Sequence, residues 1–346
     1  MSDRPDLHLF TPGPTGSTPE VIEATGRPVV PHYGERFVTV YNRCIDLFKI
    51  VFQTENDLFL IIGPGTAALD ASLSSALPDG ARVLVPGGGW FGRRMADMCR
   101  AHRADVDFVE FPLDEAIDPE VVRRHLETAD VPYEAVAWVH HETSTGVLNP
   151  MEPVAKAAKE HGALTIVDAV ASLGGVDLPV DTWGIDLCVS VTNKCLAAPP
   201  GISAVSVSSA AWEAIDSNPS SRSWYLDLRT WRSYREEWAG WHPFPSTVPS
   251  NIIEAATASI EQILEEGLDV RIRRTAEAAT AVRSGLSRLG FEMFTPDDVA
   301  SPVTTAAYAH PELSVADMQR FLMDRSIFIS GGLADLAGRI FRIGHM

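Results

Sequence analysis

The sequence predicts a three-layer α/β domain on a mostly parallel, seven-stranded sheet, followed by a smaller α+β domain. Three observations predict it. Short apolar runs rich in β-branched residues alternate with helical periods through the middle of the 346-residue chain. Those runs lack polar alternation, the pattern of strands covered by helices on both faces. After about Pro249 the texture changes to long helical periods and shorter strands.

The strand-like runs are Leu58–Gly63, Arg82–Pro86, Val106–Phe111, Ala135–His140, Leu164–Asp168, Leu187–Val191 and Ile202–Val207. Helical periods at Ala67–Leu77, Phe91–His102, Pro119–Glu127 and Pro150–His161 separate several of them. Further on, Asn251–Glu266 and Val270–Leu289 read as long helices. Strands are expected at Thr304–Ala309, Ile327–Ser330 and Arg339–Ile343, with a helix at Ser314–Asp324. The expected organisation is an N-terminal arm (1–15), a large domain (16–249) and a small C-terminal domain (250–346). The stretch Ser208–Pro249 is less regular and holds five of the eight tryptophans. Trp224, Trp231 and Trp238 are seven apart and Trp241 follows three later. They read as one buried helix face or an interface, with a substrate-pocket lining as the alternative.

Composition narrows the function. A hydrophobic content of 45% argues against disorder. The net charge of −18 disfavours a nucleic-acid or anionic-membrane partner, since phosphate surfaces attract basic faces. No run approaches the roughly 20 apolar residues of a membrane span, and the first residues show no signal-peptide core. Cys44, Cys99, Cys188 and Cys195 form no CxxC pair, so neither a zinc site nor a disulfide framework is expected. Reduced thiols in the cytoplasm are the plain reading.

In an open parallel sheet, ligands bind beyond the carboxyl ends of the strands. The first strand runs into Gly63-Pro64-Gly65-Thr66 and then a helix, a turn that suits a phosphate; a plain strand–helix turn is the alternative. Asp168 ends a buried strand, where an acid is costly unless it is paired or caps a turn. A cationic ring nitrogen would be such a partner. Lys194 follows another strand, 26 residues later. Desolvation favours its neutral, nucleophilic amine, which forms Schiff bases with carbonyls; an Asp168–Lys194 ion pair is the structural alternative. In order, the three describe a pyridoxal phosphate site: phosphate cradle, ring-nitrogen carboxylate and linking lysine.

At this point the chain resembles the class V aminotransferases, fold-type-I pyridoxal-phosphate enzymes, nearly end to end. The strings that carry the resemblance are TPGPT at Thr11, HETSTGVL at His141 and VDAVASLGG at Val167. NKC at Asn193, YLDL at Tyr225 and the terminal RIGHM at Arg342 complete them. The alanine/serine–glyoxylate, 2-aminoethylphosphonate–pyruvate and, most of all, pyridoxamine–pyruvate transaminases are the groups it looks most like. The resemblance implies that Lys194 forms the Schiff base and shuttles the α proton, and that Asp168 pairs with the ring nitrogen. It implies that Val170 packs beneath the ring, Phe91 (rather than Trp90) covers its face, and Thr143 reaches its 3′ oxygen. Gly65 and Thr66 would bind phosphate with Asn193 beside them. Thr247 would reach the neighbouring subunit's phosphate in a homodimer with shared sites. Arg342 would grip the substrate α-carboxylate. No metal is implied.

Four departures from the pattern matter. Pro64 stands where the pyridoxamine–pyruvate group carries a phosphate-loop glutamate, so pyridoxal phosphate is expected as cofactor, not as substrate. Leu333 or a neighbour replaces that group's second C-terminal arginine. Asn193 stands where the alanine–glyoxylate group has glutamine. The chain stops at Met346, shortly after Arg342, where many relatives continue. The expected activity is transfer of an amino group from an alanine- or serine-like donor to glyoxylate or pyruvate. A pyridoxamine–pyruvate reaction, or a lyase on the same fold, is the alternative. His140-His141-Glu142 lacks metal-ligand spacing. Cys195 reads as a packed structural thiol. His32-Tyr33-Gly34-Glu35-Arg36 resembles a family segment near the site mouth.

Overall fold

The computed structural model describes residues 7–346; residues 1–6 of the expected arm lie outside the described residues. The chain begins with β1 (His8–Phe10), α1 (Pro19–Thr25) and α2 (Glu35–Phe52). Next come β2 (Asp57–Ile62), α3 (Gly65–Ala76), β3 (Arg82–Gly87), α4 (Gly89–Ala101), β4 (Asp105–Glu110) and α5 (Pro119–Glu127). β5 (Ala135–Val139) leads into a hairpin of β6 (His141–Glu142) and β7 (Val147–Leu148), then α6 (Met151–Glu160). β8 (Leu164–Asp168), β9 (Leu187–Val191), β10 (Ile202–Val207), α7 (Ser209–Ser217) and α8 (Leu228–Glu237) follow. The chain ends with α9 (Ser250–Glu266), α10 (Leu268–Arg288), β11 (Thr304–Tyr308), α11 (Val315–Met323), β12 (Ile327–Gly331) and β13 (Ile340–Gly344).

The seven expected strands form one sheet in the order β2-β10-β9-β8-β5-β3-β4. Only β10 runs antiparallel to its neighbours. Every residue of β5, β8, β9 and β10 is buried, as strands sandwiched between helices require. The edge strand β4 is partly exposed and correspondingly more polar. A second sheet, β1-β12-β13-β11, lies in the C-terminal part. Its outer strand β1 comes from the N-terminal arm and pairs parallel with β12. Helix α9, which opens the 250–346 segment, lays Ile253, Ala256, Ile260 and Ile263 into the core of the large sheet.

Two stretches differ from expectation. Residues 16–57, for which the sequence predicts no helix, hold α1 and α2, and α2 buries Phe37, Tyr41, Cys44, Phe48 and Phe52 along one face. The irregular Ser208–Pro249 stretch holds two short helices, capped by the Ser208 and Asp227 side chains. Its tryptophans share no buried face. Trp231 is buried on α8, with its indole N–H donating to the Tyr225 carbonyl at 2.7 Å. Trp224, Trp238 and Trp241 are 60%, 49% and 51% exposed. Seven-residue spacing would align them on a longer helix, but α8 covers only Leu228–Glu237. Tyr33 and His32 meet this patch, their rings 5.2 Å from Trp241 and 5.4 Å from His242.

Candidate active site

Several strand ends converge at the carboxyl edge of the large sheet. β2 passes into α3 through Gly63-Pro64-Gly65, and among the described residues no side chain caps the first N–H groups of α3. That leaves the positive end of a helix dipole available to an anion. The turn packs tightly below: a Cβ on Gly65 would lie 2.5 Å from Val170 Cγ2.

Helix α4 offers a second N-terminus, but an internal carboxylate fills it. Buried Glu142 accepts the Phe91 and Gly92 N–H groups on Oε2, at 3.0 and 2.9 Å. Its Oε1 accepts the Ser144 N–H at 3.0 Å. Gly89 makes room for this with φ +71; a Cβ there would stand 2.6 Å from Glu142 Cδ. Burial pushes the Glu142 carboxyl up to about 7, against these donors. The cap fixes Phe91 and, one turn on, Arg94. The Arg94 guanidinium sits 4.6 Å over the Phe91 ring and 3.7 Å from Asp168 Oδ2. Arg94 carries no role in the sequence expectations, although its i,i+3 spacing from Phe91 places the two on one helix face.

Register pairs Val139 with Asp168 and Asp168 with Val189, so the ends of β5 and β8 lie level beside β9. Asp168 is buried, and its Oδ1 accepts the Val170 N–H at 2.9 Å. The carboxylate therefore caps a turn and faces the cavity at once. Burial pushes its pKa up, opposed by that N–H and by Arg94. Lys194, three residues past β9, donates from Nζ to the Pro12 carbonyl at 2.6 Å. Burial pushes its pKa below the usual lysine range. Among the described residues it makes no ion pair with Asp168 within 4.0 Å, so the structural alternative does not hold.

Gly65, Thr66, Phe91, Thr143, Asp168, Val170, Asn193 and Lys194 line one cavity of about 180 Å³, together with Arg94 and His141. A larger groove of about 730 Å³ along α10 carries neither the lysine nor the buried acid. Arg342, in mid β13 opposite Ala306 and Ser330, is not among the residues that line this cavity but is bonded to one of them. It donates from Nη1 to the Thr143 carbonyl at 2.7 Å and from Nε to the Gly331 carbonyl at 2.9 Å. Among the described residues, Nη2 has no hydrogen-bond partner. Burial pushes the group down to about 10, so it stays cationic at neutral pH. Thr247 is exposed and does not line this chain's cavity.

The neighbouring groups are held by structural bonds. His140 Nδ1 lies 3.0 Å from Ser172 Oγ, and His141 spans the Val147 carbonyl and Thr304 Oγ1. Burial pushes both rings down to about 3, so they are neutral. The Cys195 thiol is buried against the Ala171 carbonyl and pushed up to about 12. No helix among the described residues is long and apolar enough to cross a membrane.

The model of the family described as Aminotransferase class-V matches residues 9–337. An aminotransferase of Methanocaldococcus jannaschii is 38% identical over 98% of this chain and 87% of its own length. The pyridoxamine–pyruvate transaminase of Mesorhizobium japonicum is 30% identical over 97% of this chain and 86% of its own. The crystal structure of an alanine–glyoxylate aminotransferase from Nostoc sp. superposes with a TM-score of 0.94 at 32% identity, covering 100% of this chain and 91% of that one. The chain thus belongs to the class V aminotransferases, pyridoxal-phosphate-dependent enzymes of fold type I.

Proposed function

We propose that the enzyme moves an amino group from an alanine- or serine-like donor to glyoxylate or pyruvate, with Lys194 as the amine that joins the cofactor. What supports this most is a half-buried lysine and a buried aspartate in one cavity beside an uncapped helix N-terminus. These residues fit pyridoxal phosphate. A carboxylate suits a protonated ring nitrogen, a free helix N-terminus with a threonine hydroxyl suits a phosphate, and a desolvated amine suits an aldehyde.

When bound, the cofactor supplies an aldehyde that condenses with amines and a protonated ring that draws electrons from the substrate's α carbon. Asp168 would keep the ring nitrogen protonated. Gly65 and Thr66 would bind the phosphate at the start of α3, with Asn193 beside them. Phe91 and Val170 would pack against the ring, and Thr143 would offer a hydrogen bond to its 3′ oxygen. Lys194 would supply the amine that takes and returns the substrate's α proton. Arg342 would meet the substrate carboxylate through Nη2, since its Nε and Nη1 each already donate to a carbonyl. Arg342→Ala is expected to raise donor and acceptor KM by about 10²-fold, the worth of a charge-assisted contact of ~3 kcal/mol. An unchanged KM in steady-state assays would refute that role.

A homodimer is part of the proposal. Exposed Thr247, away from its own cavity, would complete the phosphate site of the neighbouring subunit. All four cysteines are free and buried, which supports a reducing, cytoplasmic setting. The test is the visible absorption of the loaded protein titrated with alanine, serine and pyridoxamine. A band bleached by one amino acid and restored by a 2-oxo acid would establish the reaction and its donor. A protein that retains no pyridoxal phosphate, yet builds a chromophore from pyridoxamine and pyruvate, would overturn the proposal.

A further inference from the structure

We propose that the Pro12 carbonyl is the positioning acceptor for the Lys194 amine, and that a side chain at position 13 would push that amine off it. The inference rests on Lys194 being the cofactor-linking amine. The Lys194 Nζ lies 2.6 Å from the Pro12 carbonyl, and Pro12 is buried. A Cβ on Gly13 would stand 2.4 Å from Nζ, 2.4 Å from Cδ and 2.7 Å from Cε. Gly13 also has φ +97, where a side chain is strained in any case.

The loop that carries this carbonyl is clamped from both sheets. On the large-sheet side, the Thr15 N–H donates to the Asn193 carbonyl at 3.2 Å. On the small-sheet side, a Cβ on Gly344 would lie 2.0 Å from the Thr11 carbonyl oxygen. Thr11 closes the turn internally, its hydroxyl donating to the Pro14 carbonyl at 3.1 Å. β1, just upstream, is paired into the small sheet. The carbonyl is thus fixed in space by contacts on either side.

An amine at the end of four rotatable bonds needs such a fixed acceptor. One N–H on the carbonyl restricts the side chain while the nitrogen lone pair stays free for a carbon or a proton. A displacement of about 1 Å at such a group costs on the order of 10²-fold in rate. The seat matters twice: when Lys194 first condenses with the aldehyde, and when the displaced amine waits beside the α carbon.

The experiment compares Gly13→Ala, Gly344→Ala and a control, Gly16→Ala. Gly16 has open space around it and no positive φ. Each apoprotein is mixed with pyridoxal phosphate, and covalent capture is followed by absorption and by borohydride trapping, with mass analysis of the Lys194 peptide. Gly13→Ala is expected to bind the cofactor with its affinity within about threefold but to form the covalent link about 10²-fold more slowly. Gly344→Ala, which displaces the loop from its other side without touching Lys194, is expected to slow capture in the same direction. The control should match the natural protein. Capture at the natural rate in Gly13→Ala overturns the proposal. If Gly13→Ala fails to fold, natural-rate capture in Gly344→Ala does the same. Lys194→Ala separates the underlying reading: a trapped link surviving there would sink the lysine assignment whatever the glycine variants do.

Discussion

Lys194→Ala is expected to lower turnover by about 10⁴-fold or more and to abolish the visible band of covalently held cofactor. Two functions go at once. Loss of the linking amine removes nucleophilic capture, and loss of the proton carrier removes a contribution of roughly 10²–10⁴-fold. Folding should survive. Among the described residues the side chain is held by one hydrogen bond, to Pro12, and its removal relieves a half-buried, partly desolvated amine. Stopped-flow absorption during the first half-reaction, with a melting curve as control, separates chemistry from stability. A variant that keeps the band or the half-reaction would show that another amine does the work.

Asp168→Asn carries the second-largest effect. The substitution keeps an oxygen for the Val170 N–H, so the turn after β8 should persist. It removes the negative charge that faces Arg94 and, in the proposed site, would face the ring nitrogen. A charge-assisted hydrogen bond contributes about 1.5–3 kcal/mol, so cofactor affinity should fall about 10- to 150-fold. The half-reaction should slow by roughly 10²–10⁴-fold even at saturating cofactor, because a neutral ring withdraws electrons poorly. Equilibrium titration with pyridoxal phosphate and single-turnover kinetics read the two effects apart. Unchanged single-turnover rates at full occupancy would remove Asp168 from the chemistry. Arg94 then becomes informative: left without its carboxylate, it remains stacked on Phe91.

Legibility in the sequence followed the physics of burial. Strands covered on both faces must be apolar throughout, and all seven sheet strands were found within about one residue at each end. Asp168, Lys194 and the Gly63–Thr66 turn were visible for the opposite reason: charge and glycine stand out at the ends of such runs. Helix α2 was missed although Phe37, Tyr41, Cys44 and Phe48 follow helical spacing. The tryptophan pattern misled because periodicity predicts a shared face only where the helix persists. Here α8 stops after ten residues, and Trp224 and Trp238 fall beyond its ends. The helix boundaries at Gly65 and Gly89 lie two residues upstream of those expected, since both helices begin on glycines that a periodic pattern does not register.

By itself the sequence determined the strands, the strand ends on which the proposed chemistry rests, and the family resemblance. Only the tertiary structure decided how those ends work together. It left the N-terminus of α3 free while Glu142 filled that of α4, two helix starts of similar glycine content. Arg94 was brought against Asp168, and the Pro12 carbonyl against an amine 182 residues away. The physical reason is common to all three. Local propensity and apolar pattern set where a strand ends, but strand order and register set which ends become neighbours. A buried charge or amine is stabilised by whichever partner that order delivers to it.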